Sequence, residues 1–217
     1  MIQTLQKNKP LSHLPKNKIT CKGKDMTMSE QTFIINVNVK ELLTEFIPKL
    51  AGEYIQMRGA QEELKGTELR LTLDISGSLY SYIIKDGVNF EVNEGAINNP
   101  HVYVAFPLES MSKMADMKNI DMLIGLQKQL TRKKFDLLCD LKGTSVFQIK
   151  HSDDTTSEIT AMFNGADKPR AVLRLSMEDA NLISSGKDSP VNLFMSGKMK
   201  IEGDMAFAMK TQPLFTA

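Results

Sequence analysis

The sequence predicts an α+β protein in which a mixed, mostly antiparallel sheet is covered by helices. Three observations carry that prediction. Apolar residues recur at helical spacing from Leu42 to Met57, period-two segments separated by turn residues fill the stretch from Leu69 to Phe106, and a strand runs straight into a helix near the C-terminus.

The helical stretch places Leu42, Leu43, Phe46, Ile47 and Leu50 on one face, with Ala51, Tyr54, Ile55 and Met57 continuing the pattern. Pro48 lacks an amide hydrogen and should kink or restart that helix. After Gly66 the spacing predicts strands over Leu69 to Ile75, Leu79 to Ile84 and Val88 to Val92. Gly77-Ser78 and Asp86-Gly87 stand at the joints, and Asp86-Gly87 reads as a two-residue hairpin turn. Asn98-Asn99-Pro100 then breaks the chain before a fourth strand, His101 to Phe106, and a Met-rich helix from about Leu108.

Near the C-terminus, Met199 and Ile201 alternate with Lys198, Lys200 and Glu202, so a strand with one apolar face should end at Gly203. Asp204 sits where a carboxylate caps the first turn of a helix beginning at Met205. In that helix Met205, Ala208 and Met209 share a face while Phe207 lies elsewhere around the axis, so it needs two apolar neighbours. The run Phe194-Met195, Gly197-Lys198-Met199, Ile201, Gly203-Asp204 and Met205 to Met209 resembles the closing strand and helix of the SCP-2 (sterol carrier protein 2) family. Arg170 to Ser176, followed by Met177-Glu178-Asp179, resembles that family's preceding strand and acidic helix start, leading through Gly186-Lys187 and Pro190 into the signature. The resemblance covers the last third of the chain and implies a lipid-binding fold with an apolar tunnel and no chemistry of its own.

The order of elements also recurs. Asp74-Ile75-Ser76-Gly77 can be laid on Asp140-Leu141-Lys142-Gly143, Gly95-Ala96 on Gly165-Ala166, Pro100 on Pro169, Leu108-Glu109 on Met177-Glu178, and Lys118-Asn119 on Lys187-Asp188, at an offset of about 66 to 70 residues. The chain thus divides into a basic tail expected to be disordered (1–31), a first SCP-2-like half (32–130) and a second half carrying the signature (131–217). The first half lacks the signature and runs instead through Ile120 to Leu130. Two halves packed together, or one fold that has absorbed extra strands, both accommodate this. The first is favoured because each copy holds its own strands and helix.

Composition narrows the function classes. With 27 Lys+Arg against 26 Asp+Glu there is no global field to draw in nucleic acid. No apolar run approaches the ~20 residues needed to span a bilayer; Phe33-Ile34-Ile35 is strand-sized. The tail to about Gln31 is Lys-rich, holds Pro10 and Pro15 and lacks a signal-peptide core, so it is expected to add nothing to stability. Cys21 and Cys139 form neither a disulfide framework nor a metal motif, and Cys139 reads as a small hydrophobe in a strand, consistent with a reduced, cytoplasmic protein. The ending Leu214-Phe215-Thr216-Ala217 does not support peroxisomal import by a Ser-Lys-Leu tail.

Catalytic and metal-binding patterns are thin. His151 beside Ser152-Asp153-Asp154 reads as a solvated hairpin tip rather than a triad, and His101 as a hydrogen-bonded strand residue with no second ligand at metal spacing. Met111, Met114 and Met117 are read as core. The signature methionines, in a chain with 14 Met and no Trp, suit a cavity wall that adapts to ligands of different shape. The expectation is therefore a non-enzymatic carrier, without cofactor or metal, that holds a fatty acyl, sterol-like or other lipid and touches membranes at most transiently. The candidate ligand-binding residues are Phe194, Met199, Ile201, Met205, Phe207, Ala208 and Met209. A structural or protein-interaction module, and an accessory substrate-holding partner of a lipid-active enzyme, are the competing readings.

Overall fold

In the computed structural model, residues 39–110 and 130–215 are described, all within a unit running Asn36–Ala217. The basic tail, Cys21, Phe33 to Ile35, the Met111 to Met117 part of the expected Met-rich helix, Lys118-Asn119 and nearly all of the Ile120 to Leu130 run lie outside the described residues.

The chain enters through a helical turn α1 (Val39–Glu41), a π-helical stretch Leu42–Phe46 and α2 (Ile47–Met57). Pro48 does not break this path. It lies inside a continuous helical run, and the turn before it widens to π geometry, with the Ile47 amide donating to the Leu42 carbonyl. The Tyr82 hydroxyl donates to the Leu43 carbonyl at 2.9 Å and ties this helix to the sheet.

Eight strands follow in one continuous sheet: β1 (Glu68–Ile75), β2 (Ser78–Lys85), β3 (Asn89–Glu94), β4 (Val102–Phe106), β5 (Gly143–Lys150), β6 (Thr156–Phe163), β7 (Arg170–Ser176) and β8 (Lys200–Gly203). Their order is β3-β2-β1-β4-β6-β5-β7-β8. β1 pairs antiparallel with β2 and parallel with β4, and β5 does the same with β6 and β7. An antiparallel β4–β6 ladder joins the two sets. Helix α3 (Arg132–Asp140) precedes β5, α4 (Met177–Ser184) and α5 (Pro190–Met195) link β7 to β8, and α6 (Met205–Thr211) closes the chain with a 3₁₀ turn, Gln212–Leu214.

The sheet's inner face is set by period-two alternation. Leu69, Leu71, Leu73 and Ile75 share it with their cross-strand partners Ile84, Tyr82, Val104 and Phe106. Leu42, Leu43 and Ile47 pack on its β1–β4 region with Ile75 and Phe106, and a larger cluster continues under β6, β5 and β7.

Four expectations need correction. Phe135 to Leu141 is not a strand. Thr131 caps α3 by accepting from the Lys134 amide at 3.2 Å, and Cys139 lies half-buried in that helix. His151 is not a solvated tip: it is buried, and its Nε2 lies 2.6 Å from the Ser157 hydroxyl across the hairpin. The tight two-residue turn is Ser76-Gly77, both with positive φ, whereas Asp86-Gly87 belongs to a three-residue loop between the paired Lys85 and Asn89. Finally, Asp74 to Gly77 ends β1 and turns the hairpin, while Asp140 to Gly143 ends α3 and opens β5, so those segments are not equivalent.

Candidate lipid-binding cavity

The β8–α6 corner follows from local sequence. Met199 turns inward and is buried, and Ile201 pairs with Leu173 on the inner face of β7. Gly203 then adopts φ +87°, which the strand-to-helix reversal requires and a Cβ disfavours. Asp204 caps α6 by accepting from the Phe207 amide at 2.8 Å. Asp204→Ala should therefore cost ~1 kcal/mol of stability, measured by urea unfolding, with no change of fold by circular dichroism.

Beneath the inner face of β4 to β8 lies a cavity of about 280 Å³. Its floor is Val102 and Val104 from β4, Ile159, Ala161 and Phe163 from β6, Phe147 and Ile149 from β5, and Leu173 and Leu175 from β7. Its walls come from Leu138 of α3, Ala180 and Ile183 of α4, Val191 and Phe194 of α5, and Ala208 and Met209 of α6. Leu214 and Phe215 fold back over it, Phe215 packing edge-on against Phe147 with ring centroids 5.4 Å apart.

Among the described residues no ionisable side chain lines this space, and the polar side chains that do are Ser184, Thr211 and Gln212. Thr211 donates to the Ala208 carbonyl at 2.8 Å and Ser184 to the Ala180 carbonyl at 2.9 Å, so both hydroxyl protons turn back to their own helices. The wall offers shape and dispersion contact rather than charge. Val191, Phe194 and Met209 are each more than a third exposed and mark where the cavity meets solvent.

Of the seven sequence-predicted residues, Phe194, Met199, Ile201, Ala208 and Met209 line the cavity. Met205 and Phe207 do not. Met205, the first residue of α6, is 40% exposed and stands outside the lining. Phe207 is buried core, stacked edge-on against Phe163 and filling the space where Gly143 has no side chain. Phe194 and Met195 belong to the short helix α5 rather than to the strand that follows it. The sheet residues of the floor were absent from the prediction. Their alternation is legible, but it identifies an inner face without telling cavity wall from packed core.

The Phe147-bearing strands and most of the walls fall within one matched region: the SCP-2 sterol transfer family profile covers residues 125–216. Hydroxysteroid dehydrogenase-like protein 2 of Rattus norvegicus is 41% identical over 51 residues, 24% of this chain and 10% of that protein, so the chain matches about a tenth of the length of this curated relative. Sterol carrier protein 2 from Yarrowia lipolytica in its apo form is 22% identical, with a TM-score of 0.33, over 45% of this chain and 87% of that one. The sterol carrier protein domain 2 of Helicoverpa armigera is 23% identical, with a TM-score of 0.30, over 49% of this chain and 83% of that one. Residues 125–216, somewhat less than half of the chain, are thus similar to the SCP-2 sterol transfer family.

Proposed function

We propose that the protein is a carrier that takes a single-chain lipid, or a compact sterol-like molecule, into the cavity beneath β4 to β8 and does no chemistry on it. The observation that carries this reading is a cavity of about 280 Å³ with no ionisable side chain among the described residues that line it, most of which fall in the segment that matches a sterol transfer family. That volume lies near the lower end of the ~300–1,000 Å³ typical of small-molecule pockets, which favours one aliphatic chain over two. Among the described residues no helix is long and apolar enough to cross a membrane. The shared pairing pattern of β1, β2, β4 and of β5, β6, β7 supports reading the chain as two related halves, 32–130 and 131–217. On that reading the second half encloses the ligand, and β4 of the first contributes Val102 and Val104 to its floor.

Binding would draw on transfer of the tail out of water, worth ~0.8 kcal/mol per CH₂. Association and ordering losses of at least ~4 kcal/mol leave micromolar affinity, about 8 kcal/mol, as the scale for a 14-carbon tail. A fluorescent fatty-acid series should bind more tightly with each added carbon until the cavity is full, and then level off. Affinity flat with chain length, together with a purified protein that carries no lipid by mass spectrometry of its organic extract, would replace this reading with that of a structural module.

A further inference from the structure

A second pocket, of about 300 Å³, differs in chemistry from the first: it is lined by Arg70, Asn99, Pro100, His101, Cys139, Asn164 and Gly165. It gathers the start of β1, the loops entering β4 and leaving β6, and the last turn of α3. Three neighbouring pairs, His101/Val102, Leu138/Cys139 and Asn164/Phe163, divide between the two pockets, so the polar site and the apolar cavity share a wall.

The free hydrogen-bonding capacity here is on the donor side. His101 Nδ1 accepts from the Arg70 amide at 3.1 Å, which fixes the tautomer with hydrogen on Nε2. The Arg70 Nε is buried without a hydrogen-bond partner; its nearest carboxylate, Glu68, stands 3.9 Å away, and Nη1 reaches the Asn98 carbonyl only at 3.4 Å. Asn164 is already committed, donating to the Leu138, Cys139 and Leu141 carbonyls at 2.8, 3.2 and 2.8 Å, and thereby holds the α3 terminus in place. Asn99 and Asn164 both sit at positive φ, +49° and +48°, a conformation disfavoured for residues with a Cβ and found at ligand-holding sites. Burial, then the Arg70 charge, pushes the His101 pKa down, and burial pushes the Cys139 thiol up, so both are neutral donors at pH 7.

We propose that this pocket binds an oxyanion group, a phosphate or carboxylate, held by the Arg70 guanidinium with the His101 Nε2 hydrogen as second donor. A guanidinium nitrogen that makes no hydrogen bond and has only a 3.9 Å ion-pair partner, beside an imidazole N–H donor, fits such a ligand. The proposal does not rest on what the apolar cavity holds, and a lipid headgroup and a free anion would present the same chemistry.

The test is a titration of the full chain with inorganic phosphate, and in parallel with dodecyl phosphate below its micelle concentration, followed by amide and histidine-ring NMR. Saturable shifts confined to Arg70, Asn99, His101, Cys139 and Asn164 are expected with phosphate. Arg70→Gln should weaken binding about tenfold or more, and Arg70→Lys should restore part of it. Glu68→Gln, which removes the competing carboxylate, should tighten binding, a gain that misfolding cannot imitate. Dodecyl phosphate binding more tightly than phosphate, with added shifts at Val104, Phe147 and Leu173, assigns the group to a lipid; equal affinities assign it to a free anion. Shifts that do not saturate, that spread over surface lysines, or that survive Arg70→Gln unchanged would overturn the proposal.

Discussion

Met209→Asp is expected to weaken uptake of a fluorescent fatty acid at least tenfold, about 1.4 kcal/mol, while Met205→Asp and Lys200→Glu leave it unchanged. The contrast follows from geometry. Met209 lines the cavity where it opens, so its replacement puts a carboxylate against the ligand's tail, and a charge facing hydrocarbon loses hydration without gaining a partner. Because Met209 is 45% exposed, the new carboxylate can turn partly to water, which keeps the protein folded and makes the loss one of binding rather than of stability. Met205 is nearly as exposed, at 40%, but outside the lining, so it controls for charge on α6 itself. Lys200 faces solvent on β8 and controls for general electrostatics. Equal losses from Met205→Asp and Met209→Asp would mean that ligand enters elsewhere.

Six of the eight strands were legible because each carries its own evidence, whereas β5 and β6 were not named from the sequence. Alternation at Leu69-Leu71-Leu73 and Met199-Ile201, bounded by Gly, Asn and Pro, is local information, and the observed strands match within a residue or two. Helix α3 was misread for the same local reason. Phe135, Leu137, Cys139 and Leu141 alternate, so they imitate a strand, while the contrary signals were Thr131 as a cap and the i, i+4 spacing of Lys134 and Leu138, both buried on one side. His151 could not be read from its neighbours at all. Its burial depends on Ser157, which the hairpin brings across from β6.

The candidate site was legible only on its helical side. Five of the seven residues named from the closing signature line the cavity, because one short segment, Phe194 to Met209, contains them. The floor depends on β4 lying beside β6, a non-local pairing that no spacing in the sequence announces. The two misplaced residues differ in place: Met205 shares the helix face of Ala208 and Met209 but stands exposed at the first residue of α6, whereas Phe207 lies elsewhere around the axis. One dissolves into solvent and the other into packed core, and apolar character alone could not separate them.

Gly203→Val should be the most damaging single substitution at this corner, lowering stability by on the order of 3 kcal/mol through strain and a weakened hydrogen bond together. Gly203 sits at φ +87°, and a Cβ there would lie 2.5 Å from the Arg170 carbonyl oxygen. That oxygen cannot withdraw freely, because it accepts the Asp204 amide at 2.9 Å, and Asp204 in turn caps α6. Relief of the clash therefore costs the ladder contact between β7 and β8 or the helix cap, and a β-branched side chain adds its own crowding. Gly197→Ala separates the two contributions: Gly197 also has positive φ, +74°, but nothing lies within 4 Å of its added Cβ, so only the backbone strain of ~1 kcal/mol is expected. For a chain of this size the difference should appear as a drop in Tm of roughly 6–12 °C for Gly203→Val against 2–4 °C for Gly197→Ala. Equal losses would show that the Arg170 carbonyl yields to the new side chain. If the clash is rigid, lipid binding should fall with Gly203→Val even below its Tm, since Ile201 and Met209, on either side of the corner, would no longer face the same cavity.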